Sequence, residues 1–191
     1  MTDYFALLGE PRRPWLDEEA LKTRFHALTA ERHPDVAREE DSGPFSALTV
    51  AYRVLSDPRA RLRHLLELEA PQEPFRGIPA PASVGELFPV MGAKKQALDA
   101  FLKKRAASAS ALAKALLLPE QYALQEELES LLQVLEAERN RWLQEIPALD
   151  AAWTAGERPV PQLAKTAQAL GYLDKWSAQI REGLVRLQIE E

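Results

Sequence analysis

The stretch LKTRFHALTAERHPD, residues 21–35, decides how the first part of this chain folds. Its apolar residues Leu21, Phe25 and Leu28 have the i, i+4, i+7 spacing of a helix that packs on one face only. Pro34 disfavours helical geometry at the residue before it, so we expect this helix to end near residue 32. The stretch therefore predicts an amphipathic helix that opens into a polar loop at a His-Pro-Asp tripeptide.

Three further helices are predicted around this one. A short apolar helix runs from Asp3 to Leu8, and Asp17 is placed to cap the amphipathic helix at its N-terminus. After the polar loop, Pro44 suits the first turn of a third helix. Asp57, followed directly by a proline, predicts the cap of a fourth helix that ends near Leu68.

Composition changes after these helices. Prolines are frequent between Pro71 and Pro89, which predicts a stiff rather than a flexible linker. The residues beyond it show helical apolar spacing, and no alternating β-branched run predicts a strand. We therefore expect an all-α protein with an N-terminal domain at residues 1–68, a linker at 69–89 and a helical bundle at 90–191.

The bundle is predicted to contain three long helices, packed nearly antiparallel. They begin near Lys94, Pro119 and Pro161. The buried stripe of the first is expected to extend through Leu112 and Leu116, and Pro147 is expected to end the second.

Composition and charge narrow the function classes. A formal net charge of −5 over 191 residues argues against nucleic-acid binding by overall electrostatics. The chain has no cysteine, which excludes disulfides and thiolate-held metal or iron–sulfur clusters within this chain. His26, His33 and His64 lack metal-ligand spacing, so we expect no enzyme, no metal and no cofactor. We see no secretory signal and no apolar segment of about 20 residues, so we expect a cytoplasmic protein with no membrane partner.

The His33-Pro34-Asp35 tripeptide has a specific setting. A short apolar helix and an amphipathic helix precede it, and a helix that closes with AYRVLSDP, residues 51–58, follows it. In this order and spacing, residues 1 to about 68 resemble the J-domain family. The resemblance implies an antiparallel hairpin of the two longer helices with the tripeptide in the loop at its tip.

The resemblance also implies a partner, an ATP-dependent chaperone of the DnaK class whose ATPase the J domain stimulates. Asp35 then pairs with an arginine of the chaperone, because a carboxylate matches a guanidinium fork. Pro34 fixes the loop and limits the entropy lost on docking. The chaperone-binding residues that the resemblance implies are His33, Pro34 and Asp35 in the loop, and Lys22, Arg24, His26 and Arg32 on the helix.

The J domain, linker and helical C-terminal domain together resemble the HscB-type co-chaperones of iron–sulfur cluster assembly. Leu173-Asp174-Lys175 in the last predicted helix and the total length also agree with that family. The resemblance implies an IscU-type scaffold protein as client and HscA or a general DnaK as partner chaperone. The client-binding residues that best fit are the apolar residues Leu87, Phe88, Val90 and Met91.

Two alternatives stay open from the sequence. The helical bundle of a J-domain co-chaperone could bind a different protein client, because bundles of this kind look alike whatever they bind. The apolar residues 87–91 could equally pack inside the protein and seat the linker on the bundle.

Overall fold

The computed structural model describes residues 2–31, 42–72, 78–108 and 110–188. The helices of these residues are α1 (Tyr4–Leu8), α2 (Glu18–Glu31), α3 (Ser42–Ser56), α4 (Pro58–Glu69), α5 (Ala82–Gly85), α6 (Leu87–Ala106), α7 (Ala111–Ala115), α8 (Leu118–Thr154) and α9 (Val160–Gln188). The described residues contain no strand. The prediction of an all-α protein is confirmed.

The chain divides into two compact units. The first contains Met1–Ile78 and Leu143–Gln168, and the second contains Pro79–Trp142 and Ala169–Glu191. Each of the helices α8 and α9 is divided between the two units. The domain bounds at residues 68 and 89 remain sequence-based predictions.

Helix α3 organises the N-terminal part of the first unit, since it contacts α1, α2 and α4. Phe25 of α2 stacks on Tyr52 of α3 with ring centroids 4.4 Å apart. One turn earlier on α2, Leu21 lines the same small cavity as Ser56 of α3. A residue nearer the N-terminus of α2 therefore lies beside a residue nearer the C-terminus of α3, which means that the two helices run antiparallel. The core of these helices includes Phe5, Leu8, Leu21, Leu48, Ala51, Leu55, Leu62, Leu65 and Leu66.

Side-chain caps fix the helix starts, as the sequence predicts. Asp17 Oδ1 accepts from the Ala20 N–H at 2.7 Å, and Asp57 Oδ1 accepts from the Ala60 N–H at 2.6 Å. Each carboxylate satisfies a backbone donor that the first turn of a helix leaves without a partner.

Two expected helix ends are wrong, and Pro147 is the clearer case. Helix α8 continues through Pro147 to Thr154. An interior proline removes one backbone hydrogen bond and costs about 3 kcal/mol. Contacts made beyond it offset this cost. Asp150 accepts from Arg13 and from the Trp15 N–H, and Trp153 is buried.

The first helix of the predicted bundle is also displaced. Helix α6 begins at Leu87 rather than Lys94 and ends at Ala106, so Leu112 and Leu116 do not belong to its stripe. Their side chains are 73% and 74% exposed. Pro89 does not prevent the early start, because it lies in the first turn, where its missing N–H would have no partner in the helix.

The second unit packs α6 closely against α9. A Cβ at Gly183 of α9 would lie 2.7 Å from Leu98 Cδ2 of α6, so a larger residue there would require the Leu98 side chain to shift. Two ion pairs join α8 to α9, Arg139 to Asp174 and Arg181 to Glu136. The Asp174 of the Leu-Asp-Lys motif thus has a structural partner.

Candidate chaperone-binding and client-binding surfaces

The solvent face of α2 carries two of the residues that the J-domain resemblance assigns to chaperone binding. Lys22 and His26 are exposed, and they lie one turn apart, so they share one face of the helix. Two acids, Glu18 and Glu19, occupy the first turn, where they complement the helix dipole. The basic character of this face therefore begins only after the first turn.

Arg24 is exposed as well, but its side chain also bonds to α1. Its Nε donates to the Leu8 carbonyl oxygen at 3.2 Å, at the C-terminal end of α1. Gly9 makes room for it, because a Cβ at Gly9 would lie 2.6 Å from Arg24 Nη2, and Gly9 also has a φ of 68° that favours glycine. Arg24 thus joins α2 to α1, and its part in chaperone binding remains a prediction.

The remaining chaperone-binding residues, Arg32, His33, Pro34 and Asp35, lie outside the described residues. The structure does describe the two helices that flank them, α2 ending at Glu31 and α3 beginning at Ser42. Since α2 and α3 run antiparallel, the tripeptide belongs to the connection between paired helices. This arrangement agrees with the hairpin that the resemblance implies.

Arg61 fixes the corner between α3 and α4. Its Nη1 donates to the Leu55 carbonyl oxygen at 2.6 Å and its Nε donates to the Pro14 carbonyl oxygen at 2.8 Å, and the side chain is buried. Burial lowers the pKa of Arg61 to about 10, so the guanidinium remains charged at neutral pH. The sequence analysis did not predict this role; the feature that could have indicated it is an arginine between the leucines of α4.

His64 links α4 to the start of α1. It is buried, stacks on Phe5, and accepts the Tyr4 N–H on Nε2 at 3.1 Å. Only an unprotonated Nε2 can accept this hydrogen bond. Burial accordingly lowers the pKa of His64 below its ordinary value of 6.5.

We expect the free energy of unfolding to decrease as the pH falls below about 6.5, measured by urea denaturation at pH 7.5 and 5.5. The unfolded chain binds a proton at His64 that the native state excludes, so protonation favours unfolding. The variant His64→Gln, which can still accept the Tyr4 N–H, should reduce this pH dependence. The variant His26→Gln removes an exposed histidine and should retain the pH dependence of the wild type. Equal pH dependence in the wild type and His64→Gln would contradict the assignment.

The candidate client-binding residues occupy the first turns of α6, in the second unit. Phe88 and Val90 are 43% and 38% exposed, Leu87 is half-buried, and Met91 is buried. The Phe88 ring packs edge-on against Trp176 and Tyr172 of α9, with centroid distances of 4.8 and 5.2 Å.

The sequence did not predict this aromatic group. Tyr172 and Trp176 are one turn apart on α9, and this spacing was the one signal that they share a face. Met91 contributes to the core, so the accessible apolar surface consists of Phe88 and Val90 over the α9 aromatics. Of the nearby charges, Lys94 pairs with Glu127 at 2.7 Å and Lys95 is exposed.

Known proteins resemble this chain in sequence and fold. It is 38% identical over 73 residues to a protein named co-chaperone protein HscB homolog from Azoarcus, a match that covers 35% of this chain and 41% of the relative. The chain resembles J-domain co-chaperones of the HscB type. Co-chaperone protein HscB of Proteus mirabilis is 32% identical over 74 residues, 35% of this chain and 43% of that protein. Chaperone protein DnaJ of Caulobacter vibrioides is 43% identical over 63 residues, 32% of this chain and 16% of that protein.

The fold comparison extends over nearly the whole chain. Chaperone HscB from Vibrio cholerae superposes with a TM-score of 0.50 at 20% identity, covering 97% of this chain and 99% of the other. This likeness shows the fold of HscB, a J domain followed by a helical bundle. The HscB relatives are matched over about two fifths of their length. No protein-family model matches the chain.

Two further findings concern only the part of the chain that the structure describes. None of its helices is both long and apolar enough to span a membrane. None of its histidine, aspartate and glutamate side chains form a group of three that could hold a metal ion.

Proposed function

We propose that this chain is a co-chaperone that stimulates the ATPase of a DnaK- or HscA-class chaperone. Its docking surface consists of the His33-Pro34-Asp35 tripeptide and the exposed face of α2 that carries Lys22 and His26. The observation that carries the proposal is the antiparallel α2–α3 pair on either side of that tripeptide. The HscB and DnaJ similarities support it independently.

The second part of the proposal is the client. An IscU-type iron–sulfur scaffold protein docks at the start of α6, where Phe88 and Val90 are exposed. The aromatic support below Phe88 favours this role, since Tyr172 and Trp176 hold its ring in place on the surface. An apolar side chain that is already ordered loses little conformational entropy on binding.

The experiment is a calorimetric titration of the full chain with an IscU-type scaffold protein. We expect saturable binding in the micromolar range, and a loss of affinity of about tenfold or more in Phe88→Ser, because burying a phenylalanine contributes about 1.5–3 kcal/mol. Val134→Ser is the matched control, since Val134 is also an exposed apolar residue of the second unit, at 49%. Unchanged scaffold affinity in Phe88→Ser, with an unchanged circular dichroism spectrum, would remove the client site from α6.

A J-domain co-chaperone with a different client is the second candidate. It is favoured by the charge of α6, whose basic residues include Lys94 and Lys95 next to the apolar surface. A different client would leave the chaperone stimulation intact and give no heat of binding with the scaffold. The titration therefore separates the two candidates.

A further inference from the structure

Positive charge is concentrated in one part of this acidic protein. Residues 87–118 have a net charge of +5, whereas the whole chain has −5. The six basic residues are Lys94, Lys95, Lys103, Lys104, Arg105 and Lys114, and the single acid is Asp99. At physiological salt, charges more than about 8 Å away are largely screened. Lys94 and Lys95 lie about 12 Å or more from Lys103 along α6, so a ligand at the end of α6 responds mainly to the other four basic residues.

Exposed apolar side chains occupy the same region. Leu112 and Leu116 are one turn apart across α7 and are 73% and 74% exposed. Leu118 and Tyr122, one turn apart at the start of α8, are 42% and 59% exposed. Large apolar side chains this exposed, and this close in sequence, indicate an interaction surface. We call Leu112, Leu116, Leu118 and Tyr122 the α7 patch.

Basic side chains lie beside Leu118, one of the four residues of the α7 patch. A cavity of about 740 Å³ is lined by Leu118 together with Lys103, Arg105 and Arg186. Arg105 donates from Nη1 and Nη2 to the carbonyl oxygens of Leu187 and Arg186, both at 2.8 Å, so these hydrogen bonds go to backbone acceptors rather than to a carboxylate.

Three acids reduce the positive charge only in part. Asp99 lines the same cavity, Glu127 pairs with Lys94, and Glu120 pairs with Lys104 on the surface. An exposed pair of this kind holds its partners weakly. The surface therefore combines protruding leucines, one tyrosine and an excess of basic groups.

The lysines and leucines of this surface favour a lipid surface over a protein partner. Protein interfaces are depleted in lysine, and leucine is rare among their strongest contributors. Membrane surfaces, by contrast, attract helices with lysines and arginines beside leucines, and tyrosine is enriched at the lipid headgroup level.

We propose that the α7 patch and the basic side chains around it bind the surface of an anionic lipid bilayer. Leu112, Leu116 and Tyr122 enter the headgroup region, and Lys103, Arg105 and Arg186 interact with lipid phosphates. No spanning segment is required for such a contact, and the proposal departs here from the expectation, drawn from the sequence, of no membrane partner. The proposal does not depend on the chaperone or on the client.

The test is co-sedimentation of the full chain with vesicles of 70% phosphatidylcholine and 30% phosphatidylglycerol, and with vesicles of phosphatidylcholine alone. We expect binding to the anionic vesicles, little binding to the neutral ones, and weaker binding at 0.5 M than at 0.1 M salt. The double variant Leu112→Ser/Leu116→Ser should bind anionic vesicles at least about tenfold more weakly. Because both side chains are more than 70% exposed, the variant should retain its thermal unfolding midpoint.

Matched variants distinguish specific binding through this surface from nonspecific binding by any exposed apolar residue. Val134→Ser/Val185→Ser removes two other exposed apolar residues, 49% and 55% exposed, and should bind vesicles as the wild type does. Lys103→Gln should weaken binding more than Lys175→Gln, which removes an exposed charge on α9. Absence of binding to anionic vesicles, or equal losses in both double variants, would overturn the proposal. Loss of scaffold affinity in Leu112→Ser/Leu116→Ser, with no vesicle binding, would assign the patch to a protein instead.

Discussion

Replacing Asp35 by asparagine is expected to abolish most of the stimulation of a DnaK-class ATPase. The substitution keeps the size of the side chain and removes the charge that the proposed chaperone arginine would pair with. Breaking such a charge pair at an interface costs about 2–5 kcal/mol, which corresponds to about 30-fold or more in affinity. The measurement is the single-turnover ATPase rate of the chaperone as a function of the concentration of this protein.

Glu40→Gln is the matched control for Asp35→Asn. It removes one negative charge five positions further along the same polar stretch and should leave the stimulation unchanged. If Asp35→Asn stimulates the chaperone as the wild type does, the tripeptide is not the docking element. If neither the wild type nor the variants stimulate it, the J domain is only a structural adaptor.

Replacing Asp150 by alanine is expected to lower the free energy of unfolding by about 2–4 kcal/mol. The Asp150 side chain is buried, accepts from Arg13 Nε at 2.9 Å and from Arg13 Nη2, and accepts from the Trp15 N–H at 3.1 Å. Alanine would leave these donors without their acceptor. Urea denaturation at pH 7 measures the loss.

Asp174→Ala is the comparison for Asp150→Ala. Asp174 also pairs with an arginine, Arg139, but both side chains are about 30% exposed, so its removal should cost less than about 1 kcal/mol. Equal losses for the two variants would mean that burial of Asp150 contributes nothing to its effect.

From the Asp150 carboxylate we also expect a loss of stability in acid. Burial by itself raises the pKa of Asp150, but the hydrogen bonds from Arg13 and Trp15 outweigh it and hold the pKa below the ordinary 3.8. The stabilisation is therefore complete above about pH 4 and is lost as the pH falls through the lower, folded-state pKa. His64 begins to destabilise the protein at a higher pH, as the pH falls below its ordinary pKa of 6.5.

The sequence predicted the features that follow from local rules. Asp17 and Asp57 cap helices because a carboxylate before a helix meets donors within three residues of itself. The amphipathic spacing of Leu21, Phe25 and Leu28 predicted α2, and the J-domain motifs predicted the order of the first helices. Such features depend on neighbours in the chain, which the sequence displays directly.

The features that sequence analysis missed depend on distant residues. Helix α8 passes Pro147 because Arg13 and Trp15, more than 130 positions away, hold Asp150 in the turns beyond it. Phe88 became part of an aromatic group only through Tyr172 and Trp176 on α9. In both cases a tertiary contact outweighed a local signal.

The most direct test of the co-chaperone proposal is the ATPase rate of a DnaK-class chaperone, measured with this protein, with an IscU-type scaffold, and with both together. The proposal predicts stimulation by this protein alone and a larger stimulation with both than the sum of the separate effects, because the co-chaperone delivers the client. Phe88→Ser should stimulate the ATPase by itself as the wild type does, and it should lose the additional stimulation seen with the scaffold. A rate that this protein leaves at the basal value, with or without the scaffold, would contradict the account.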